Sequence, residues 1–416
     1  MTSSPTTATS EIVEVKGHII DSLILPKILD QIIDANGSFE ILDITIGKRK
    51  SDASRARLKI TAANPTRLRQ VLRRISALGA TPVDAVDVTL RRATKPGVFP
   101  EGFYSTTNLP TQIRYRTRWR TVERIEMDCG IVVESRGRRA VCTPMHRIRR
   151  GDLVVCGGAG VKVTPLERSR QREIFQFMSS TVSSEKPKGR IIAELAEEMR
   201  RIKHDGRKIL VVAGPAVVHT GAAPYLAQII RAGYVDVLFA GNGLATHDLE
   251  LNLYGTSLGA KLDASERSEA GHDHHLRTIN AIRAVGGIRQ AVRRGLVKHG
   301  IMHACVKRGV PFVLCGSIRD DGPLPDVITD VVAAQDAMRR HIPGLELALM
   351  VASTLHTIAT GNILPATVKT VCVDINPAVV TKVADRGSFQ IVGLVTDSES
   401  FLRELARCLT SVKRRS

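Results

Sequence analysis

The chain has 416 residues, 43% of them hydrophobic, which is enough to pack two or three domains of ordinary size and excludes a disordered polymer. Its longest apolar runs, near Ile209 to Val218 and Leu345 to Ala352, fall short of the ~18 to 20 residues that a membrane-spanning helix needs. With 60 Lys and Arg against 41 Asp and Glu the formal charge is +19, which makes a polyanion partner worth testing, but aromatics at 4% are too sparse for a base-stacking platform and nucleic acid is disfavoured.

Residues 1–10, MTSSPTTATS, have neither a basic start nor an apolar stretch, so a floppy leader and a cytoplasmic protein are expected. Residues 11–93 read as a small α+β domain: strand EIVEVKGHI, amphipathic helix Leu23 to Ala35, strands FEILDITIG and RARLKITAA, a helix from Pro65, and TPVDAVDVTLRR as a closing strand. That order is the split βαβ pattern. Residues 94–184 form a β-rich, substrate-side domain of short strands (TVERIEMDCGIVVES, RRAVCTPM, GDLVVCGGAGVKVTP), and SSTVSSEKPKG marks the main boundary. Within this domain Arg114, Arg116, Arg118 and Arg120 alternate with other residues, which on one strand would align four guanidinium groups for an anion or leave a solvated charge row.

From 185 to 410 helices alternate with unbroken apolar strands: KILVVAG, VDVLFAGNG, VPFVLCGS, LELALMVAST, TVCVDINP and FQIVGLVTD. Such strands predict a parallel, Rossmann-like α/β sheet covered on both faces. Residues 411–416 are a basic tail. The seven cysteines (Cys129, Cys142, Cys156, Cys305, Cys315, Cys372, Cys408) stand singly, so no disulfide framework or zinc ribbon is expected.

Each strand of the last domain ends in small or polar residues, and the carboxyl edge of an open α/β sheet is where backbone N–H groups converge on ligands. There is no Walker A loop. Gly241-Asn242-Gly243-Leu244-Ala245-Thr246 matches only the start of a dinucleotide fingerprint and reads equally as a tight turn. Asp374, ending TVCVDINP, suits ribose hydroxyls and favours NAD over NADP, or it caps the helix at Pro377. Asp320 and Asp321, and Ser353, Thr354, Leu355 and His356, add groups to the same rim. Gly255-Thr256-Ser257-Leu258-Gly259 fits a nucleophile elbow in letters, but the helical segment before it argues for a helix cap at Gly255. The histidines of Gly271-His272-Asp273-His274-His275 read as solvated or proton-shuttling groups before they read as metal ligands.

Six longer motifs, PEGFYSTTNLPTQIRY (100–115), ERIEMDCGIVV (123–133), VVAGPAVVHTGAAPYLAQIIRAGYVDVLFAGNGLATHDLELNLYGTSLG (211–259), GHDHHLRTINAIR (271–283), SIRDDGPLPDV (317–327) and STLHTIATGNILP (353–365), together resemble the archaeal-type ornithine cyclodeaminase family. That family is also labelled the lysine-oxoglutarate reductase/saccharopine dehydrogenase conserved region, and the resemblance runs from about Glu11 to Thr410. It implies an ammonia-lyase of proline biosynthesis and arginine/ornithine metabolism, converting L-ornithine to L-proline and ammonia with tightly held NAD that is regenerated in each turnover. It carries the NAD-binding role to Asn242, Gly243, Asp321, Ser353, Thr354, Leu355, His356, Asp374, Leu394 and Asp397. Asn108 and Thr111 become substrate-binding candidates, and Asp128 and His272 acid/base candidates. Position 243 is Gly where the family is expected to carry Ala. A homodimer or homotetramer is expected. The alternatives are an NAD-dependent saccharopine- or lysine-type dehydrogenase and a non-catalytic sensor of NAD and an amino acid.

Overall fold

The computed structural model describes residues 9–20, 22–48, 52–76, 78–83, 86–134, 137–164, 188–257, 260–261, 274–320, 322–384 and 391–410. They fall into two units: everything up to 164 together with Asn362–Thr367, and the remainder from 188 onward. Among the described residues no helix is long and apolar enough to cross a membrane.

The first unit opens with β1 (Thr9–Gly17), α1 (Ile24–Asp34), β2 (Ser38–Thr45), β3 (Ser54–Ala62), α2 (Pro65–Ser76) and β4 (Thr81–Pro82). The strands pair antiparallel in the order β2-β3-β1-β4. Strict alternation on β1 and β3 turns Val13, Val15, Ala56, Leu58 and Ile60 to one face, where Ile28 and Ile32 of α1 and Val71 and Ile75 of α2 cover them. Each buried Val, Leu or Ile side chain among them contributes about 1.5–3 kcal/mol. Helix α2 starts where it does because Asn64 Oδ1 accepts from Arg67 N at 2.8 Å and Pro65 supplies a preset first turn. The β-α-β-β-α-β order is thus present, with β1 beginning at Thr9, two residues before the expected start.

The run TPVDAVDVTLRR is not one strand. Thr81–Pro82 pairs with β1, whereas β5 (Thr89–Arg92) joins a second sheet antiparallel to β10 (Leu153–Cys156). That sheet also holds β6 (Thr111–Tyr115), β7 (Arg118–Glu123), β8 (Gly130–Glu134), β9 (Arg139–Thr143) and β11 (Val161–Val163), in the order β11-β6-β7-β9-β8-β10-β5. Only β7 and β9 run parallel. The arginine row is a hairpin: Arg116 and Thr117 take positive φ and turn the chain, Arg114 pairs across to Trp119, and Asp87 lies 3.4 Å from Arg114. The four guanidinium groups therefore do not share one strand face.

The second unit contains β12 (Lys208–Ala213), β13 (Val237–Gly241), β16 (Phe312–Cys315), β17 (Val327–Ile328), β18 (Leu345–Val351), β19 (Lys369–Asp374) and β20 (Ile391–Val395). All pair parallel, in the order β17-β16-β13-β12-β18-β19-β20. The intervening elements are α3 (Lys188–His204), α4 (Ala216–His219), α5 (Ala223–Arg231), α6 (Asn242–Tyr254), the two-residue strands β14 (Thr256–Ser257) and β15 (Ala260–Lys261), α7 (His274–Val285), α8 (Ile288–Arg293), α9 (Gly300–Arg308), α10 (Val331–Arg339), α11 (Leu355–Ile363), α12 (Pro377–Ala384) and α13 (Ser398–Thr410). The expected Rossmann-like sheet is present, with the two-residue β17 as an addition. The chain lays β12 in the middle, builds outward through β13, β16 and β17, then crosses over to build β18, β19 and β20. The switch point lies between β12 and β18, which is where such sheets open a ligand crevice.

Candidate active site

The switch point is closed tightly at its base. Gly214 follows β12 and donates its N–H to Val351 O at 3.0 Å, and a Cβ at this position would lie 1.7 Å from Ala352 O. Ala352 itself takes a positive φ of 50° to pass. Any side chain at 214 would push the two strand ends apart.

One strand away, Gly241 ends β13 and the chain turns straight into α6. Gly241 has no side chain to cap the helix, so the first N–H groups of α6 face the carboxyl edge without a side-chain acceptor. Asn242 is buried, and its Oδ1 accepts from Leu324 N at 3.1 Å and Thr246 Oγ1 at 3.3 Å, so it ties the loop beyond β16 to α6. A Cβ on Gly243 would meet only Pro215, at 3.8 Å, so alanine fits there without movement.

His356, in the first turn of α11, packs its Cε1 within 2.8 Å of where a Gly241 Cβ would stand. Burial holds its imidazole below the ordinary value, against a hydrogen bond to the Cys315 backbone and the charge of Asp320. Asp320 is spent on its own loop, accepting from Ser317 N at 2.8 Å. Ser353 is buried, Thr354 is exposed, and Leu355 is 67% exposed. Ile318 and Ile375 are equally bare, at 106% and 73%, on the loops after β16 and β19. Such exposure of three large apolar side chains along one sheet edge suits a flat aromatic or ribosyl ligand.

Asp374 is half-buried, and its Oδ1 accepts from Asn376 N at 2.8 Å. The cap of α12 is Asn376, whose Oδ1 accepts from Ala378 N at 2.9 Å. The capping reading of Asp374 is thereby corrected. Asp397 does cap a helix: its Oδ1 accepts from Ser400 N at 3.0 Å at the start of α13. The Leu394 side chain is buried in the sheet, so only its backbone faces the edge. Asp321 and His272 lie outside the described residues.

In the first unit one hydroxyl joins the two segments that carry substrate and acid/base candidates. Thr106 Oγ1 donates to Glu126 O at 2.7 Å and accepts from Cys129 N at 3.0 Å, stitching the STTN segment to the EMDC segment. Asp128 N donates to Thr106 O at 3.0 Å, and Asp128 is exposed in a left-handed turn with φ 61°. Asn108 is 3% exposed, and its backbone oxygen accepts from Ala366 N at 2.8 Å. Thr111 is buried and gives its hydroxyl to Leu109 O at 2.9 Å. Glu126, buried at 5% beside Cys129 and Cys142, escaped the sequence reading although it lies inside the EMDCG motif. The bonded Cys142 thiol and burial push the Cys129 thiol up, which keeps it protonated and inert. All seven cysteines are free thiols.

A second omission lies behind the edge of the parallel sheet. His219, His247, Glu250, Ser257, Thr256 and His274 form one bonded group, and the nearest sequence signals were the HTGA and THDLE segments, too far apart to be read together. Gly255, with φ 70°, caps α6 as expected. Among the described residues no cluster of three or more His, Cys, Asp or Glu is arranged to hold a metal ion.

The LOR/SDH bifunctional enzyme conserved region matches residues 10–109, and the first region and the Rossmann fold of the arginine dihydrolase ArgZ-like C-terminal part match 110–192 and 193–405. An ornithine cyclodeaminase of Methanothermobacter thermautotrophicus is 55% identical over 94% of this chain and 95% of its own length. The chain belongs to the archaeal-type ornithine cyclodeaminase family. Among solved structures related to this family, that of ArgZ, a cyanobacterial arginine dihydrolase, superposes with a TM-score of 0.85 at 38% identity, over 97% of this chain and 58% of that longer protein. AgrE in a ternary complex with ornithine and NAD+ superposes at a TM-score of 0.52 and 39% identity, over 97% of this chain and 59% of AgrE.

Proposed function

We propose that this protein is an NAD-dependent ornithine cyclodeaminase that converts L-ornithine to L-proline and ammonia, a soluble, cytoplasmic homo-oligomeric lyase of arginine and ornithine metabolism. The observation that carries the reading is the carboxyl edge of the parallel sheet, in a chain whose full-length relatives are named ornithine cyclodeaminases.

The edge fits a dinucleotide. Uncapped N–H groups at the start of α6 suit a diphosphate, while Gly241 makes room for the His356 ring and Gly214 for the Ala352 carbonyl. The Asp374 carboxylate retains an oxygen for ribose hydroxyls, which disfavours a 2′-phosphate, and Ile375, Ile318 and Leu355 offer apolar cover to the rings. Bound NAD would supply reversible hydride transfer at the α-carbon of ornithine. The chain's own residues must then orient the amino acid, exclude water and handle its protons. Asn108 suits the α-carboxylate or α-amine, because its carboxamide is buried in the STTN segment and can both donate and accept. Asp128 presents its carboxylate at the surface of its turn, where it can meet a cationic amine.

The test is to incubate the purified protein with L-ornithine, with and without added NAD, and to follow proline, ammonia and free NADH. The reading expects proline and ammonia in equal amounts with no accumulation of NADH. NADH release in proportion to turnover would make it a dehydrogenase, and binding without product would make it a sensor.

A further inference from the structure

Behind the carboxyl edge, α4, α6, β14 and the start of α7 enclose a polar chain that the edge itself does not use. Glu250 is fully buried, at 0% exposure. Its Oε2 lies 3.0 Å from His247 Nδ1, and its Oε1 accepts from Thr256 Oγ1 at 2.9 Å. The Thr256 hydroxyl has one hydrogen, already given to Glu250, so at 2.8 Å it accepts from His274 Nδ1–H. The His247 ring meets that of His219 edge-on, with centroids 4.7 Å apart, and His219 Nδ1 lies 2.7 Å from Ser257 Oγ. Tyr254, 39% exposed, stacks on His274. The other buried carboxyl of α6, Asp248, stands apart, because the N–H groups of Ile301 and Met302 take both its oxygens at 2.8 Å.

This chain sits close to the crevice. At about 1.5 Å per residue along each helix, His219 lies roughly 5 Å from the start of α4 and His247 roughly 8 Å from the start of α6, and both helices begin at the sheet's carboxyl edge. Burial, then the charge of His247, holds His219 down at about 4, so it remains an uncharged neighbour at neutral pH.

The proposed reaction sets a specific demand on such a group. Ornithine enters as a monocation and leaves as neutral proline plus ammonium, so atoms and charge balance with no net proton. Within the turnover the α-ammonium must lose a proton before hydride can leave its carbon and the δ-ammonium must lose one to attack, and both are returned by the end, as the departing nitrogen leaves as ammonium and the ring nitrogen becomes the ammonium of proline. A crevice that excludes water needs a place to hold such a proton meanwhile.

We propose, resting on the ornithine reading above, that the His247–Glu250 pair is a proton store: the substrate ammonium N–H breaks, the proton passes to the pair, where the buried carboxylate stabilises the imidazolium, and it returns to the departing ammonia. Thr256 and His274 are positioning residues that hold Glu250 in the acceptor orientation. Nothing is oxidised or reduced in these transfers.

The experiment compares the wild type with Glu250→Gln on ornithine and NAD. The store predicts that kcat falls about tenfold or more, that KM for ornithine and the NAD dissociation constant stay within about twofold, that the solvent deuterium isotope effect on kcat grows, and that the pH profile of kcat changes shape. A Glu250→Gln variant with wild-type kcat and pH profile overturns the proposal. So does one whose loss is matched by weaker NAD binding and a lower melting temperature, since that marks the network as structural. Should Glu250→Gln fail to fold, Thr256→Val decides: it leaves the pair intact but unpositioned, and a smaller fall, about threefold, with the same split between kcat and KM supports the store, whereas unchanged kcat overturns it. A wild type that forms no proline fails the ornithine reading and removes the proposal with it, a result distinct from any seen only in the variant.

Discussion

The two seven-stranded sheets of this molecule have the same strand count and opposite logic. In the parallel sheet every strand ends on the same edge, so glycines, helix N-termini and polar side chains gather there, the side chains held by short local bonds such as Asp374 to Asn376 N or Asp397 to Ser400 N. In the β-rich sheet most neighbours are antiparallel, strand ends alternate sides, and each polar group has to be anchored where it stands. Thr106 does this for Glu126 and Cys129, and Thr111 for Leu109. One architecture collects a site; the other assembles it bond by bond.

That contrast is tested most severely at Gly214. Gly214→Ala places a Cβ on Ala352 O and should yield little folded protein, whereas Gly243→Ala should keep NAD affinity within a few-fold; soluble yield and calorimetric NAD titration read both.

The next effect concerns the helices behind the edge. The Asp248 carboxyl, pushed up to about 6 by burial against hydrogen bonds from Met302 and Ile301, binds a proton more readily folded than unfolded, where its value is 3.8. It therefore adds stability as pH falls from about 6 to about 4, up to roughly 3 kcal/mol. His219, held at about 4 against an ordinary 6.5, does the reverse: the unfolded chain takes up the proton first, so stability falls as pH drops from 6.5 toward 4. The two slopes oppose each other. Asp248→Asn removes one, and its melting temperature should decline on acidification more steeply than that of the wild type.

On the antiparallel side, Thr106→Val leaves Cys129 N–H and Glu126 O without their partner and should cost about 2 kcal/mol in denaturant unfolding. The mildest change sharpens the other side: Asp374→Asn keeps the turn with Asn376 but removes the charge. NAD affinity should fall about tenfold, or roughly 1.4 kcal/mol, with discrimination against NADP reduced and melting unaltered.

The same contrast explains what was legible beforehand. The parallel strands, buried on both faces, spell themselves out as continuous Val, Ile and Leu, and all but the two-residue β17 were visible. The strand TLRR was visible too, yet its partner was not, because a four-residue strand carries no record of which neighbour it joins. Asp374 does end a strand, as its sequence suggests, but two Asx residues precede Pro377, and only geometry shows that Asn376 does the capping. His247 and Glu250 share one face of α6, but the ring contact that draws in His219 joins α4 to α6, and helical periodicity records which residues share a face without naming what that face meets.

The strand order also has a history in time. Of the parallel strands β12 is synthesised first and receives β13 on one side, with β16 beyond it, while its other side has no strand until Leu345 emerges. A nascent chain halted before that point carries half a sheet with its central strand exposed. The crevice is therefore the seam between an early half and a late half, and competence to hold a ligand arrives only when translation of the late half is complete.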